Sequence, residues 1–167
     1  IFEKLSVRIE MGRPLFNFKD IPLSKPIDPN NITLNIENEE LSGGHCVNVG
    51  NPHIIFFVKN CFDYDLNVIG PKIENHKLFP EKTNVTFAQV IDKKNITVNV
   101  WERGAGLTKA CGTAACATAI VGLKNELVNN KVDIKFKQGF LNIEIDKSDN
   151  IFMTGPVSEI KNIKINI

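Results

Sequence analysis

Apolar and polar residues alternate along much of this chain. Ile32, Leu34 and Ile36 take every second position. So do Ile96, Val98 and Val100, then Val132, Ile134 and Phe136, then Leu141, Ile143 and Ile145. A period of two turns one face of each segment toward a core and marks a strand. Gln138-Gly139 separates the last two at hairpin distance, and Ser148-Asp149-Asn150 supplies the turn before Ile151-Phe152-Met153. The proline-bearing stretches Pro22 to Asn31 and Gly70 to Lys82 read as loops.

One stretch has a different rhythm. Gly112 to Val128 contains no proline and is rich in Ala and Leu, and its first three turns, through Leu123, carry no charge. A helix without a polar face is buried on all sides. Lys124, Asn125, Glu126, Asn129 and Asn130 mark its return to solvent. Many strands and one buried helix of small side chains predict an α+β fold. The expected form is a β-barrel-like antiparallel sheet curled around a buried central helix.

Composition narrows the function classes. A chain of 167 residues is long enough for one domain with a core. At 43% hydrophobic and 23% charged residues it reads as an ordinary soluble protein. A net charge of +1 supplies no field for nucleic acid or an anionic membrane. No apolar run approaches bilayer length. The opening Ile1-Phe2-Glu3-Lys4-Leu5 is no signal peptide, and the missing initiator Met implies that the natural start is absent or processed away. Cys46, Cys61, Cys111 and Cys116 form no Cys-x-x-Cys pair and no zinc-ligand spacing with histidine. They read as four thiols in a reducing cytoplasm, with no metal.

The sharpest candidate for chemistry is Trp101 to Cys116. A strand ends, a glycine-containing loop follows, and Cys111 stands at the mouth of the buried helix. Helix N-termini leave N–H groups unpaired and carry partial positive charge, which favours a thiolate and binds a carboxylate. Gly112 lets a ligand approach the backbone. A thiolate beside a carboxylate cradle suits proton abstraction from the α carbon. Position alone fits a buried structural cysteine equally well. Cys116 lies one turn deeper and Cys46 and Cys61 lie among apolar strand residues, so all three read as structural. Gly50-Asn51-Pro52-His53 places an amide and an imidazole beside a turn. Taken alone, His53 fits a surface or satisfied histidine better, His45 and His76 offer less, and Asn84 fits a turn cap.

Together, Gly50-Asn51-Pro52-His53, the Asn84 segment, Glu102-Arg103-Gly104 and Ala110-Cys111-Gly112-Thr113-Ala114-Ala115-Cys116-Ala117 closely resemble the diaminopimelate epimerase family in order and spacing. Weaker likeness runs from Met11-Gly12-Arg13-Pro14 through Asp20-Ile21-Pro22-Leu23 to Thr154-Gly155-Pro156. The resemblance implies a cofactor-independent isomerase that interconverts LL- and meso-diaminopimelate for lysine and peptidoglycan synthesis. It implies two pseudo-symmetric halves, each giving one cysteine, with substrate between two helix N-termini. Cys111 would be the C-terminal cysteine of the pair. His53 and Glu102 would support proton handling and the substrate ammonium. Asn51, Asn84 and Arg103 would hold the distal end, and Gly112 and Thr113 the reacting carboxylate. The cysteine motif of the other half, Cys-Gly-Asn-Gly in type, does not occur in this sequence. The expected organisation is therefore a C-terminal epimerase domain at 11–156, with 1–10 and 157–167 as strands shared with a missing N-terminal half. That half is the expected partner, without nucleic acid or membrane, and the resemblance leaves room for a homodimer. Alternatives are a proline or hydroxyproline racemase, a non-catalytic binding or regulatory module derived from the same half, and a thiol redox protein. Asn51, Asn84 and Arg103 speak against the racemase, which needs no distal clamp. The five-residue step from Cys111 to Cys116 speaks against the redox protein.

Overall fold

The computed structural model describes residues 5–37 and 39–157. The expected shared strands at 1–10 and 157–167 thus fall partly outside the described residues. Among these residues the elements are β1 (Ser6–Gly12), β2 (Ile32–Ile36), β3 (Glu39–Asn48), β4 (Pro52–Phe57), α1 (Leu66–Glu74), β5 (Asn84–Asp92), β6 (Asn95–Glu102), β7 (Gly106–Leu107), α2 (Gly112–Lys124), β8 (Lys131–Phe136), β9 (Gly139–Ile145) and β10 (Ile151–Pro156). The strands make one sheet in the order β1-β10-β9-β8-β6-β5-β4-β3-β2, with the short β7 added against β6.

Two expectations change here. The sheet is open, with β1 and β2 at its ends, and is not a closed barrel. It is also mixed: β4 pairs parallel to β5, and β6 parallel to β8. The reason lies in the connections. Each parallel pair is joined through a helix, α1 in one case and α2 in the other, and a helical crossover returns the chain in the same direction. Both crossovers step the same way across the sheet, but β4 and β6 run in opposite directions. Crossovers of one hand then put the two helices on opposite faces. The core divides accordingly. Val47, Ile55, Ala88 and Val98 belong to the cluster around α2, whereas Cys46, Ile54, Phe56, Val85 and Phe87 belong to the other cluster, with Leu66 and Ile73 of α1.

Ala114 to Gly122 of α2 are all buried, as its uncharged sequence requires. The helix touches β3, β4, β5, β8, β9 and β10. It stops at Lys124, four residues before the expected Val128. Asn125 caps it, its amide donating to the Val121 carbonyl at 2.9 Å, and Glu126 takes a left-handed φ of 56°. The turn brings Val128 back against Gly122.

The stretch from Gly70 is a further correction. Gly70 to Glu74 belong to α1 and not to a loop, despite Pro71. The Asp65 carboxylate caps the helix by accepting from the Asn67 N–H at 3.0 Å, and Leu66 and Ile73 are buried. Nine residues need only about two turns, so the one hydrogen bond that Pro71 forfeits is offset by packing.

Candidate active site

The sheet gathers the candidate residues at one end. His53 near the start of β4 stands in register with Asn84 at the start of β5. Val85 is in register with Trp101, so the end of the antiparallel β6 meets the starts of β4 and β5. Past Glu102 the chain reverses through Gly104, whose φ of 77° suits a residue without Cβ, into β7, and then reaches Cys111. On the other side, the Asn48 amide oxygen accepts from the Gly50 N–H at 2.7 Å and steadies the turn that presents Asn51.

A continuous polar chain crosses this end. His53 Nε2 lies 2.8 Å from Asn51 Oδ1, Asn51 Nδ2 donates to Thr113 Oγ1 at 3.4 Å, and Thr113 Oγ1 lies 3.4 Å from Cys111 Sγ. The amide oxygen can only accept, which makes Nε2 of His53 its protonated nitrogen. Thr113 spends its oxygen lone pair on Asn51 and is free to point its proton at sulfur. The order of donors thus runs toward the Cys111 sulfur. His53 is fully buried, with no hydrogen-bond partner for Nδ1 among the described residues. Burial, and then the charge of Arg103, lower its pKa to about 3.

Cys111 is the N-cap of α2 and only 6% exposed, and it makes no side-chain capping hydrogen bond. Its thiol is held above the ordinary range, the reverse of what its helix position leads one to expect. Burial is the larger influence; Thr113 and the Ala114 backbone pull it partly back, and Glu102 pushes it up again. Desolvation by the surrounding protein outweighs the helix terminus. Burial lifts the other three cysteines further: Cys61 to about 11, Cys116 to about 12, and Cys46 higher still. Brief alkylation near neutral pH should therefore mark Cys111 first. Peptide mapping by mass spectrometry checks the order, and faster labelling of Cys46 or Cys61 in folded protein would contradict it.

Asn84 is buried and already committed. Its Nδ2 donates to the Pro52 carbonyl at 2.8 Å, and its Oδ1 accepts from the Arg103 N–H at 2.9 Å. One amide hydrogen is left for a ligand. Arg103 is exposed, and one guanidinium nitrogen donates to the Glu81 carbonyl at 2.9 Å. Gly112 faces Met153 of β10, whose sulfur would lie 3.1 Å from an added Cβ, so there its small size serves packing as well as access. His45, which packs edge-on against Phe57, and His76 take no part, and Cys46, Cys61 and Cys116 are buried in the two cores. No three His, Cys, Asp or Glu residues are grouped to hold a metal ion among the described residues, and no helix there is long and apolar enough to cross a membrane.

Glu74 is a participant that sequence reasoning did not reach. It is 5% exposed, and its two carboxylate oxygens accept from Trp101 Nε1 at 2.7 Å and from the Gly104 N–H at 3.0 Å. The signal that could have found it is the helix around it: Asp65 as a cap, then Leu66, Ile69 and Ile73 at helical spacing.

A solved structure of a predicted epimerase from Pseudomonas aeruginosa matches 90% of this chain and 55% of its own, with a TM-score of 0.54 at 13% identity; that likeness concerns the fold. The diaminopimelate epimerase of Pelagibacter ubique is 56% identical over 164 residues, covering 96% of this chain. That of Wolbachia sp. subsp. Brugia malayi is 46% identical over 153 residues, covering 91% of this chain. The chain spans about 60% of the length of these relatives. The family model for diaminopimelate epimerase matches residues 45–160. With a match over more than half of its length, the chain belongs to the diaminopimelate epimerase family.

Proposed function

We propose that this chain is the C-terminal part of an isomerase that interconverts LL- and meso-diaminopimelate in the cytoplasm, and that Cys111 exchanges the α proton. The observation that carries the reading is the position of Cys111: a nearly buried thiol at the N-terminus of an uncharged helix, at the end of the polar chain from His53.

The chemistry follows from that position. The α C–H of an amino acid is a very weak acid, so the base that removes it must itself bind a proton tightly. A sulfur whose pKa burial has raised is such a base once it is ionised. Glu102 is the nearby carboxylate to which the thiol proton passes, and Thr113 donates to the resulting thiolate. The substrate carboxylate lies against the N–H groups of Gly112 and Thr113, where partial positive charge steadies the electron density released from the α carbon. His53 is uncharged at neutral pH and donates through Nε2. Arg103 holds the distal carboxylate with the guanidinium nitrogens left free by Glu81. Asn51 and Asn84 complete the distal grip, Asn84 with its one remaining amide hydrogen. The reaction needs no cofactor, because the carbanion is steadied by the helix terminus.

Inversion also needs an acid on the opposite face of the α carbon. In this reading it is a second cysteine, carried by the part of the relatives' length that this chain does not span. Val7 and Ile9 of β1, with Leu5 just before it, are exposed apolar side chains at the end of the sheet and make a fitting seat for that part. In this reading the sheet curls around α2 as one of two such halves, and two complete enzymes pair as a homodimer.

The test uses a polypeptide of the relatives' length that carries this chain, given LL- or meso-diaminopimelate in deuterium oxide. Conversion in both directions, with deuterium at the inverted α carbon, is the expected result. The 167 residues alone should give none. Absence of conversion by the long form, or full conversion by the 167 residues, would overturn the reading.

A further inference from the structure

We propose that Glu74 is a positioning residue: its buried carboxylate clamps both ends of the Trp101–Gly104 segment and so sets the reach of Glu102 and Arg103. This rests on the function proposed above for those two side chains.

The clamp is built from one face of α1. Gly70 and Glu74 are four residues apart and lie one above the other on the helix. A Cβ at Gly70 would fall 2.5 Å from the Trp101 ring, so the indole lies directly on the helix backbone there. One turn on, Glu74 Oε2 accepts the indole N–H at 2.7 Å and Oε1 accepts the Gly104 N–H at 3.0 Å. Between these two anchors stand only Glu102 and Arg103. The Arg103 N–H is itself taken by Asn84 Oδ1 at 2.9 Å. The indole N–H and the N–H groups of Arg103 and Gly104 are thus all held by Glu74 or Asn84, while the Glu102 carbonyl accepts from the Ala105 N–H at 3.0 Å. Lys82 Nζ, 3.8 Å from Oε1 and half exposed, supplies an opposite charge from the solvent side. A carboxylate is the right group because both partners are donors. An amide has one acceptor and one donor end, so an isosteric glutamine must face one N–H with its own NH₂.

That asymmetry provides the test. In the long form of the enzyme, Glu74→Gln should lower kcat/KM roughly tenfold or more, the scale of leaving one buried donor unpaired. It should also speed hydrogen exchange of whichever donor the glutamine NH₂ faces, the Gly104 amide or the Trp101 indole N–H, roughly tenfold or more, with amides in the middle of β5 and β6 unchanged. Trp101→Phe removes the indole donor, so the glutamine carbonyl is free to serve Gly104. In that background Glu74→Gln should cost less than about threefold. Equal cost in the two backgrounds, or unchanged exchange at both the Gly104 amide and the Trp101 indole in Glu74→Gln, would overturn the proposal. Circular dichroism checks folding. Should Glu74→Gln not fold, Glu74→Asp, one methylene too short to reach both donors, takes its place with the same expectation for the donor left unpaired. If the wild-type long form does not convert diaminopimelate, the proposed function fails, and the exchange measurement still decides the clamp.

Discussion

Alanine in place of Cys111 should lower LL-to-meso conversion by about 10²- to 10⁴-fold or more, the scale of a positioned proton-transfer group, with little loss of stability. The two effects separate because of how the residue is held. Its side chain makes no capping hydrogen bond to α2, and its φ of −144° and ψ of 114° are extended backbone that alanine adopts freely. The 3.4 Å contact with Thr113, the thiol's interactions with the Ala114 backbone and Glu102, and a small volume are lost. Thr113 is partly exposed and can turn to water. The unfolding midpoint should therefore move by the equivalent of about 1 kcal/mol or less. Cys116→Ala is the matched control. That side chain is fully buried in the cluster around α2 and makes no hydrogen bond to the polar chain among the described residues. Its loss should cost stability, about 1–2 kcal/mol for a small core truncation, and leave turnover within a few-fold. Steady-state kinetics and urea unfolding on both variants check the pair. A Cys111→Ala protein within tenfold of wild-type kcat would take Cys111 out of the chemistry.

The part of this site that could be read from the residues is the part whose signal is local. The uncharged run from Gly112 could only be a buried helix, and it is one. Alternation in Ile96 to Val100 and Val132 to Phe136 correctly gave strands with one buried face. Alternation does not say which strand lies beside which. The parallel pairing of β6 with β8 is made across the whole of α2, and nothing in either strand announces it. Nor does alternation survive where a helix covers each face. Pro52 to Phe56 and Asn84 to Ala88 are buried without a break, because α1 and α2 lie on opposite sides of β4 and β5. α1 itself was masked by Gly70 and Pro71, two helix-breaking residues in succession. Gly70 is there for the Trp101 ring, a partner more than thirty residues away. The direction of the Cys111 shift was misjudged for a related reason. Its place at a helix terminus is local, but the depth of burial that outweighs it depends on strands from distant parts of the chain.

His53 shows the same non-local control, and it should make the fold sensitive to acid. In the unfolded chain its imidazole takes up a proton near pH 6.5; in the folded protein, burial and then Arg103 lower that to about 3. Between these values the unfolded state binds the proton and the native state does not. Stability from this residue is therefore fully present above about pH 6.5 and is lost as pH falls toward 3. The loss approaches 1.4 kcal/mol per pH unit, on the order of 4–5 kcal/mol across the window. That is a large part of the 5–15 kcal/mol typical of a folded domain. Carboxylates such as Asp92 and Asp146, whose hydrogen bonds lower their pKa values, also weaken the fold in acid. They are unchanged by a substitution at His53, so a difference measurement removes them. His53→Gln supplies that difference. Glutamine extends an N–H toward Asn51 Oδ1 much as Nε2 does, but it has no proton to gain in this range. Urea unfolding from pH 7.5 to 3.5 should show the wild type losing stability more steeply than His53→Gln. Their difference should grow below pH 6.5 and stay constant above it. Parallel profiles through the whole range would mean that His53 is protonated at the same pH in the folded and unfolded protein. The neutral imidazole at the end of the polar chain would then be wrong.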